Sequence, residues 1–441
     1  MQGLKTGCDE IFFAKNALVN DFLTDFAILT TSPSSKTQQE NGSRHFVGTA
    51  PKDIPFVLVR NLEIPMQIVP AKTWSQQKAF LDFPWKIYKD DPYWVPQLRI
   101  EQSGLVGFKL LGHKDPFYEH NECQTFLAVD GRNVLGRICA IWNRGHIDRY
   151  NDGVGFLGFF DCIDDTDVAQ GLFHATADYL KQRNCTVLRG PVNPSLNHTL
   201  GLLIDGFNSS PMFMMTYNPP YYERLFEENG FKKTQDLYAY WGEIGMLPKI
   251  NDKLQPVCEQ IKERTGAKIR SVNVKNFQQD VEQFLHIYNR ALTNTWGFVS
   301  MSSKEVKEMA FYLKYLIVPE LTTAVEVDGK MVGANFALPN FNPRIKEIGG
   351  RITPLRLFKL LRHKERIKAI RVLSTNVLPE YQMLGLGLVL LNGLVPKVMA
   401  SGITEAEFSW VLESNSFSRG SLEKGGAVRT KTYRIYDRPI V

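Results

Sequence analysis

The sequence predicts an α/β (α+β) chain built from two tandem domains, each a mixed, mostly antiparallel sheet flanked by helices, behind a poorly ordered N-terminal extension. Three observations predict it. Two hairpin signals, with turns at Asp130-Gly131 and Asp328-Gly329, lie about 200 residues apart, a spacing that points to a duplicated unit. Each hairpin is followed by the same succession of strand, helix, strand, short helix and strand. The composition is globular, with 44% hydrophobic, 12% aromatic and 22% charged residues in 441, enough to fill the cores of two or three domains.

Residues 1–61 form the extension, in which the polar run at 30–43 (TTSPSSKTQQENGS) reads as loop. The first domain covers 62–245. MQIVPA is a short strand, 74–87 an amphipathic helix and DDPYWVPQLR a proline-punctuated loop. QTFLAVDGRNVLGRICAIWN is the hairpin, and GVGFLGFFDCI a further strand. Asp164, Asp165 and Asp167 are placed to cap a helix running to about Arg183, because their carboxylates accept the free amides of its first turn. CTVLRGPV is a strand, 221–229 a helix closed by Gly230, and DLYAYWGEI the last strand.

A linker and helix at 246–266 lead to the second domain, 267–441. AKIRSVNV is a strand. Helices follow at 277–292 and 302–316, the latter opened by Ser302 and Glu305 at capping-box spacing. TTAVEVDGKMVGANFALPN is the second hairpin, AIRVLSTNVLP and TEAEFSWVL are strands, 414–424 is a short helix, and VRTKTYRIYD closes the chain.

Composition excludes several classes. The net charge of +6 is mild and spread along the chain, so no nucleic-acid partner is expected. One modest basic cluster, Arg429, Lys431, Arg434 and Arg438, is the place where an anionic headgroup of a membrane lipid would be met. None of the six cysteines stands at CxxC spacing, so neither a metal site nor a disulfide framework is expected, and reduced thiols fit a cytoplasmic location. No apolar run reaches the ~18 residues a membrane span needs.

The segment that carries chemistry is VLSTNVLPEYQMLGLG, residues 372–387. A β-branched strand ends at Pro379, and a glycine-bearing turn opens an apolar helix. Amides at such a turn point outward without partners, and the helix dipole adds positive potential. A pyrophosphate fits there, approached closely where Gly385 and Gly387 lack side chains. Gln382, Met383, Leu384, Gly385, Leu386 and Gly387 resemble the Q/R-x-x-G-x-G/A acyl-CoA motif of the GNAT superfamily of acyltransferases. The downstream FSWVLESNSFSRGSLEKGGAVRTKTYRIYD is similar to the closing part of these enzymes. FPWKIYKDDPYWVPQLR, GPVNPSLN and WVLESN resemble a bacterial tandem-GNAT group that includes the bacterial ceramide synthases.

The resemblance implies an acyl-CoA-dependent N-acyltransferase, using acetyl-CoA or a longer acyl-CoA, with a small-molecule or lipid amine as acceptor. It places the pyrophosphate on Gln382–Gly387, with Val377 and Leu378 facing the pantetheine arm. Glu405, Glu407 and Glu413 are candidate bases, and Asn415 a candidate ligand of the pantetheine or of a water; Glu407, Glu413 and Asn415 make up the catalytic set. Any one of them serves equally as a strand-edge charge or a helix cap. The helix where the family usually carries an acidic tyrosine holds Phe417 instead, leaving Tyr433 and Tyr436 on the next strand as substitutes. In the first domain, carboxylates at 164–167 would repel a pyrophosphate, so no CoA is expected there. Asn193 and Asn197 in GPVNPSLNH, with Tyr217 and Asn218, are the candidate acceptor-binding residues. Pro396 inside the helix after Gly387 points to an early end of that helix. The alternative from another class is a non-catalytic GNAT-fold binding or scaffold protein.

Overall fold

The computed structural model describes residues 66–441, which form one compact unit. The readings made for the extension lie outside the described residues.

The first half contains β1 (Gln67–Pro70), β2 (Glu122–Asp130), β3 (Asn133–Trp142), β4 (Val154–Cys162), α1 (Thr166–Lys181), β5 (Val187–Gly190), the short strands β6 (Val192–Asn193), β7 (Thr199–Leu200) and β8 (Leu202–Asp205), then α2 (Tyr221–Glu228) and β9 (Lys232–Glu243). The helix α3 (Leu247–Thr265) leads to the second half: β10 (Lys268–Ser271), α4 (Phe277–Ala291), α5 (Ser303–Leu316), β11 (Thr322–Val327), β12 (Lys330–Pro339), α6 (Pro354–Leu361), β13 (Ala369–Val377), α7 (Leu386–Ala400), β14 (Glu405–Leu412), α8 (Ser416–Lys424) and β15 (Val428–Pro439).

Local chemistry accounts for these elements. Asp328 and Gly329 both take positive φ in the tight turn between β11 and β12, as a two-residue hairpin requires. Asp165 caps α1, its carboxylate accepting from the amides of Asp167 and Val168. Ser302 and Glu305 form the capping box of α5. β4 is buried along its whole length, as suits a strand with a parallel neighbour and covered faces.

Twelve strands run as one continuous sheet in the order β1-β2-β3-β4-β5-β15-β9-β14-β13-β12-β11-β10, with β8 added beside β15. The last strand of each half is exchanged. β15 pairs with β5, with Tyr436 opposite Gly190, and β9 pairs with β14, with Leu237 opposite Leu412. β9 and β15 also pair with each other over most of their length. Neither half completes its sheet with its own final strand, so the halves are interlocked. The sequence order alone carries no trace of this, because an exchanged strand has the same apolar alternation as one that stays at home.

Two further expectations change. α7 does not end at Pro396; it runs through to Ala400. Proline removes one helical hydrogen bond, but Leu394 and Val398 on either side pack against Ile370, Val372 and Ile403, which holds the helix across the gap. The basic cluster near the C-terminus is not a patch. Lys431 is buried and donates to Ser209, Arg434 pairs with Asp236, and the Arg429 and Arg438 guanidinium groups lie over Tyr238 and Phe231.

Candidate active site

After Val377 the chain leaves β13 by a turn of 3₁₀ character, Pro379–Leu384, and enters α7 through Gly385. Gly385 has φ +81°, a conformation costly for any residue with a Cβ, and a Cβ there would also sit 2.8 Å from Ile261. Gln382 closes the turn by donating its Nε2 to the Val377 carbonyl at 3.1 Å. No side chain caps α7. Among the described residues, the amides of Gly385, Leu386 and Gly387 make no hydrogen bond. A Cβ on Gly387 would meet nothing within 4 Å, so the space in front of it is open. Arg264, exposed at the end of α3, reaches the Leu384 carbonyl at 3.4 Å and brings a positive charge to the turn. The residues present therefore fit a diphosphate: unpaired donors, a helix N-terminus, an arginine and free space. Arg264 was not identified from sequence, because its contact with the turn is made 120 residues away along the chain.

The first half presents the same junction in closed form. At the mouth of α1 the amides of Asp167 and Val168 are already taken by Asp165, at 2.9 and 3.1 Å. Asp164 pairs with Arg224. β4 and β5 stay paired only to Phe156 and Arg189, and the space beyond is filled by β6. A Cβ on Gly158 would lie 2.0 Å from the Val192 carbonyl oxygen. Asn193 locks this plug, its Oδ1 accepting from the Phe159 amide at 2.6 Å.

In the second half the equivalent strands, β13 and β14, are parallel and paired to Val372 and Phe408, then separate. At the apex of this gap lies a buried polar cluster. Arg371 spans it, donating from Nε to the Ser409 hydroxyl at 2.9 Å and from Nη2 to the Ser409 carbonyl at 3.0 Å. Its Nη1 is held by the carbonyls of Phe213 and Met214, both at 3.0 Å, so a loop of the first half closes over the site. Glu407, 2% exposed, accepts from the Ser409 hydroxyl at 2.7 Å. Its second carboxylate oxygen has no donor among the described residues. Burial pushes the Glu407 carboxyl above the usual range, opposed by the Ser409 hydrogen bond and by Arg371 and Lys431. Burial likewise lowers Arg371 to about 10, with Glu407 opposing. Tyr433 comes from the exchanged strand β15 and is fully buried; its hydroxyl has no hydrogen-bond partner. Burial, and then Glu407, raise it well above the usual phenol range, so the hydroxyl keeps its proton.

The remaining sequence candidates lie elsewhere. Val377 and Leu378 have buried side chains in the core with Leu386 and Val389, and meet the turn through backbone atoms. Met383 is almost fully exposed and Leu384 half-buried. Glu413 is ion-paired to Lys233 at 2.8 Å, which lowers its pKa. Asn415 is the N-cap of α8, accepting from the Ser418 amide at 3.0 Å. Asn197 donates to the Val299 carbonyl and accepts from the Tyr288 hydroxyl, tying the halves together. Tyr217 donates to Asp91, and Asn218 clamps both the amide and the carbonyl of Leu203. Asn193, Tyr217 and Asn218 nonetheless line a cavity of about 90 Å³ in the first half, walled by Trp85, Tyr88 and Trp94. Sequence reasoning named Glu407 and Tyr433 separately and missed Arg371 and Ser409; the one local signal for Ser409 is its two-residue spacing from Glu407 along a strand.

This fold, an open mixed sheet whose parallel strands part in front of a helix with a glycine-bearing mouth, is that of the GNAT acyltransferases. Among solved structures, a tandem GNAT protein from the clavulanic acid biosynthesis pathway superimposes with a TM-score of 0.51 at 10% identity, covering 85% of this chain and 99% of that one. The glucosamine N-acetyltransferase region of a fungal multi-domain β-N-acetylglucosaminidase gives 0.50 at 10% identity, over 85% of this chain and 38% of that one. No family model matches the sequence. Two protein sequences do: Protein YghO of Escherichia coli is 32% identical over 82% of this chain and 93% of its own length, and the bacterial ceramide synthase of Caulobacter vibrioides is 31% identical over 85% and 98%. The chain belongs to the tandem-GNAT group that includes the bacterial ceramide synthases.

Proposed function

We propose that the chain is an N-acyltransferase that binds acyl-CoA in its second half and transfers the acyl group to an amine. The observation that carries this reading is the set of unbonded amides at Gly385, Leu386 and Gly387 at the mouth of α7, where the place of a Gly387 side chain is open, together with the gap between β13 and β14. Acyl-CoA supplies a thioester carbonyl and a thiolate leaving group. The chain supplies the rest. The amides at the mouth of α7, with Arg264, hold the diphosphate. Glu407 takes a proton from the acceptor ammonium through its free carboxylate oxygen, so that the amine nitrogen can form the new N–C bond as the C–S bond breaks. The Tyr433 hydroxyl gives a proton to the departing sulfur and recovers one from the acylated nitrogen, while Glu407 passes the proton it took to water as the products leave. Arg371 is a positioning residue: it fixes Ser409, which in turn orients Glu407. The plugged first half takes no CoA, and its Phe213–Met215 loop shapes the acceptor side.

The name of the Caulobacter relative, a ceramide synthase, favours a long-chain acyl donor and an amino-lipid acceptor. Among the described residues no helix is long and apolar enough to cross a membrane. The test is calorimetric titration with CoA, acetyl-CoA and palmitoyl-CoA, on the full chain and on Gly387→Asp. The substitution meets open space, so the fold should be kept, while a carboxylate enters the diphosphate site as Asp165 does in the first half. Affinity should fall at least ~100-fold, as expected of an uncompensated like charge at contact distance. An unchanged affinity would place the donor elsewhere.

A further inference from the structure

Between β12 and β13 the chain makes an excursion, residues 340–368, that carries nine Lys or Arg and only two acidic residues, Glu347 and Glu365. Its centre is α6. Thr353 caps this helix and Pro354 opens it. Leu360 and Leu361 anchor one side in a small core with Phe341, Ile345 and Ile348. The opposite side is unusual. Leu355 is 69% and Phe358 58% exposed, at a spacing that puts them together on the helix. Lys359 and Arg362 continue the same face, and Arg356 flanks it; all three are exposed. Arg362 lies over the Phe358 ring, its guanidinium 5.6 Å from the centroid.

The helix is held rigidly. Arg344 donates to the carbonyls of Leu360, Arg362 and His363 at its C-terminal end. The Arg99 amide donates to the Gly350 carbonyl at 2.9 Å, and a Cβ on Gly350 would lie 3.2 Å from Trp85. Trp85 lines the first-half cavity. Asn340 and Asn342, at the start of the excursion, bind the backbone of Phe213 and Pro211, next to the loop that holds Arg371. The exposed face is therefore fixed relative to both the cavity and the buried Glu407 cluster.

Bulky apolar side chains kept in water on a helix ringed with cations match the chemistry of an anionic bilayer surface. The hydrocarbon side chains enter the headgroup boundary while the cations meet lipid phosphates. An acidic soluble partner would satisfy the charges yet leave Leu355 and Phe358 without a reason to be exposed. We propose that α6 docks the protein on the surface of an anionic lipid bilayer, presenting the mouth of the acyltransferase site to molecules held in that surface. Binding to the bilayer stands apart from the transferase reading, because it is measured with no acyl donor present.

The experiment is co-sedimentation of the full chain with vesicles of phosphatidylcholine alone and of phosphatidylcholine with phosphatidylglycerol. Binding is expected to the anionic vesicles only, and to weaken as salt is raised. Arg356→Gln/Lys359→Gln/Arg362→Gln should weaken it about fivefold per charge, roughly 100-fold in all. Leu355→Asp/Phe358→Asp should abolish it while leaving the thermal midpoint unchanged, since both side chains are in water. No binding of the parent chain to anionic vesicles overturns the proposal. So does equal binding by either variant. A concentration-dependent dimer that Leu355→Asp/Phe358→Asp dissolves, without vesicle binding, assigns the face to a second copy and overturns it too.

Discussion

Tyr433→Phe separates catalysis from stability. The Tyr433 hydroxyl is wholly buried and has no hydrogen-bond partner, so the folded state bears its desolvation without compensation. Leaving a buried polar group unpaired costs about 1–3 kcal/mol, and removing the group recovers part of that against the small void left behind. The variant is therefore expected to be as stable as the parent or more stable by up to about 1 kcal/mol, a change of roughly 2 °C or less in a chain of this size. Tyr222 provides the control. Its hydroxyl accepts from the Cys162 amide at 2.9 Å and reaches Asp161 at 3.2 Å, so Tyr222→Phe should lose about 1–3 kcal/mol. Activity should follow the opposite order. If the Tyr433 hydroxyl protonates the leaving thiolate, kcat for thiol release should fall about 10²–10⁴-fold, with acyl-CoA affinity unchanged. The assays are differential scanning calorimetry and a thiol-trapping rate measurement on both variants. A Tyr433→Phe protein that keeps full kcat refutes the role; one that loses more than about 1 kcal/mol refutes the claim that its hydroxyl is unpaired.

Glu407→Gln tests the base. Folding raises this carboxyl, so the parent's kcat/KM should climb with pH through a value above the usual carboxylate range, and the variant's profile should be low and flat. The same raised value means that the folded state holds the proton more tightly than the unfolded chain does. This group's contribution to stability therefore declines as pH rises from the ordinary carboxylate range through the raised value, and that slope should vanish in Glu407→Gln when unfolding is followed by urea titration. Asp165→Ala should cost about 1 kcal/mol by uncapping α1, yet leave acyl-CoA affinity unchanged; a clear loss of affinity in calorimetry would move the donor into the first half.

The parts of this molecule that were legible in its sequence are those written by neighbours along the chain. Asp328-Gly329 needs only its own backbone to specify a hairpin, and Ser302 with Glu305 only three residues to specify a helix start. The turn at Gly385 belongs to the same kind: a strand, two glycines and an apolar helix are contiguous, and the free amides follow from that order. The helix α6 carried a comparable signal, Thr353-Pro354 before Leu357, Leu360 and Leu361, and went unread because Leu355 and Phe358 place apolar residues on its outward face as well, which blurs the period.

The buried polar cluster is legible in no window of the sequence. Arg371 comes from β13, Glu407 and Ser409 from β14, the carbonyls that fix Arg371 from residues 213 and 214, and Tyr433 from a strand that crosses to the other half. Strand alternation puts Glu407 and Ser409 on one face, but says nothing of whether that face is covered, and coverage is what changes their chemistry. An exposed Glu407 would be an ordinary surface carboxylate. Under the first-half loop and beside the exchanged strand it becomes a desolvated carboxylate beside a partnerless phenol. The exchange of β9 and β15 thereby gives the plugged first half its work. By supplying β5 as the neighbour of β15 and residues 213–215 as a roof, it builds the closed side of a site whose open side, at Gly387, belongs to the second half.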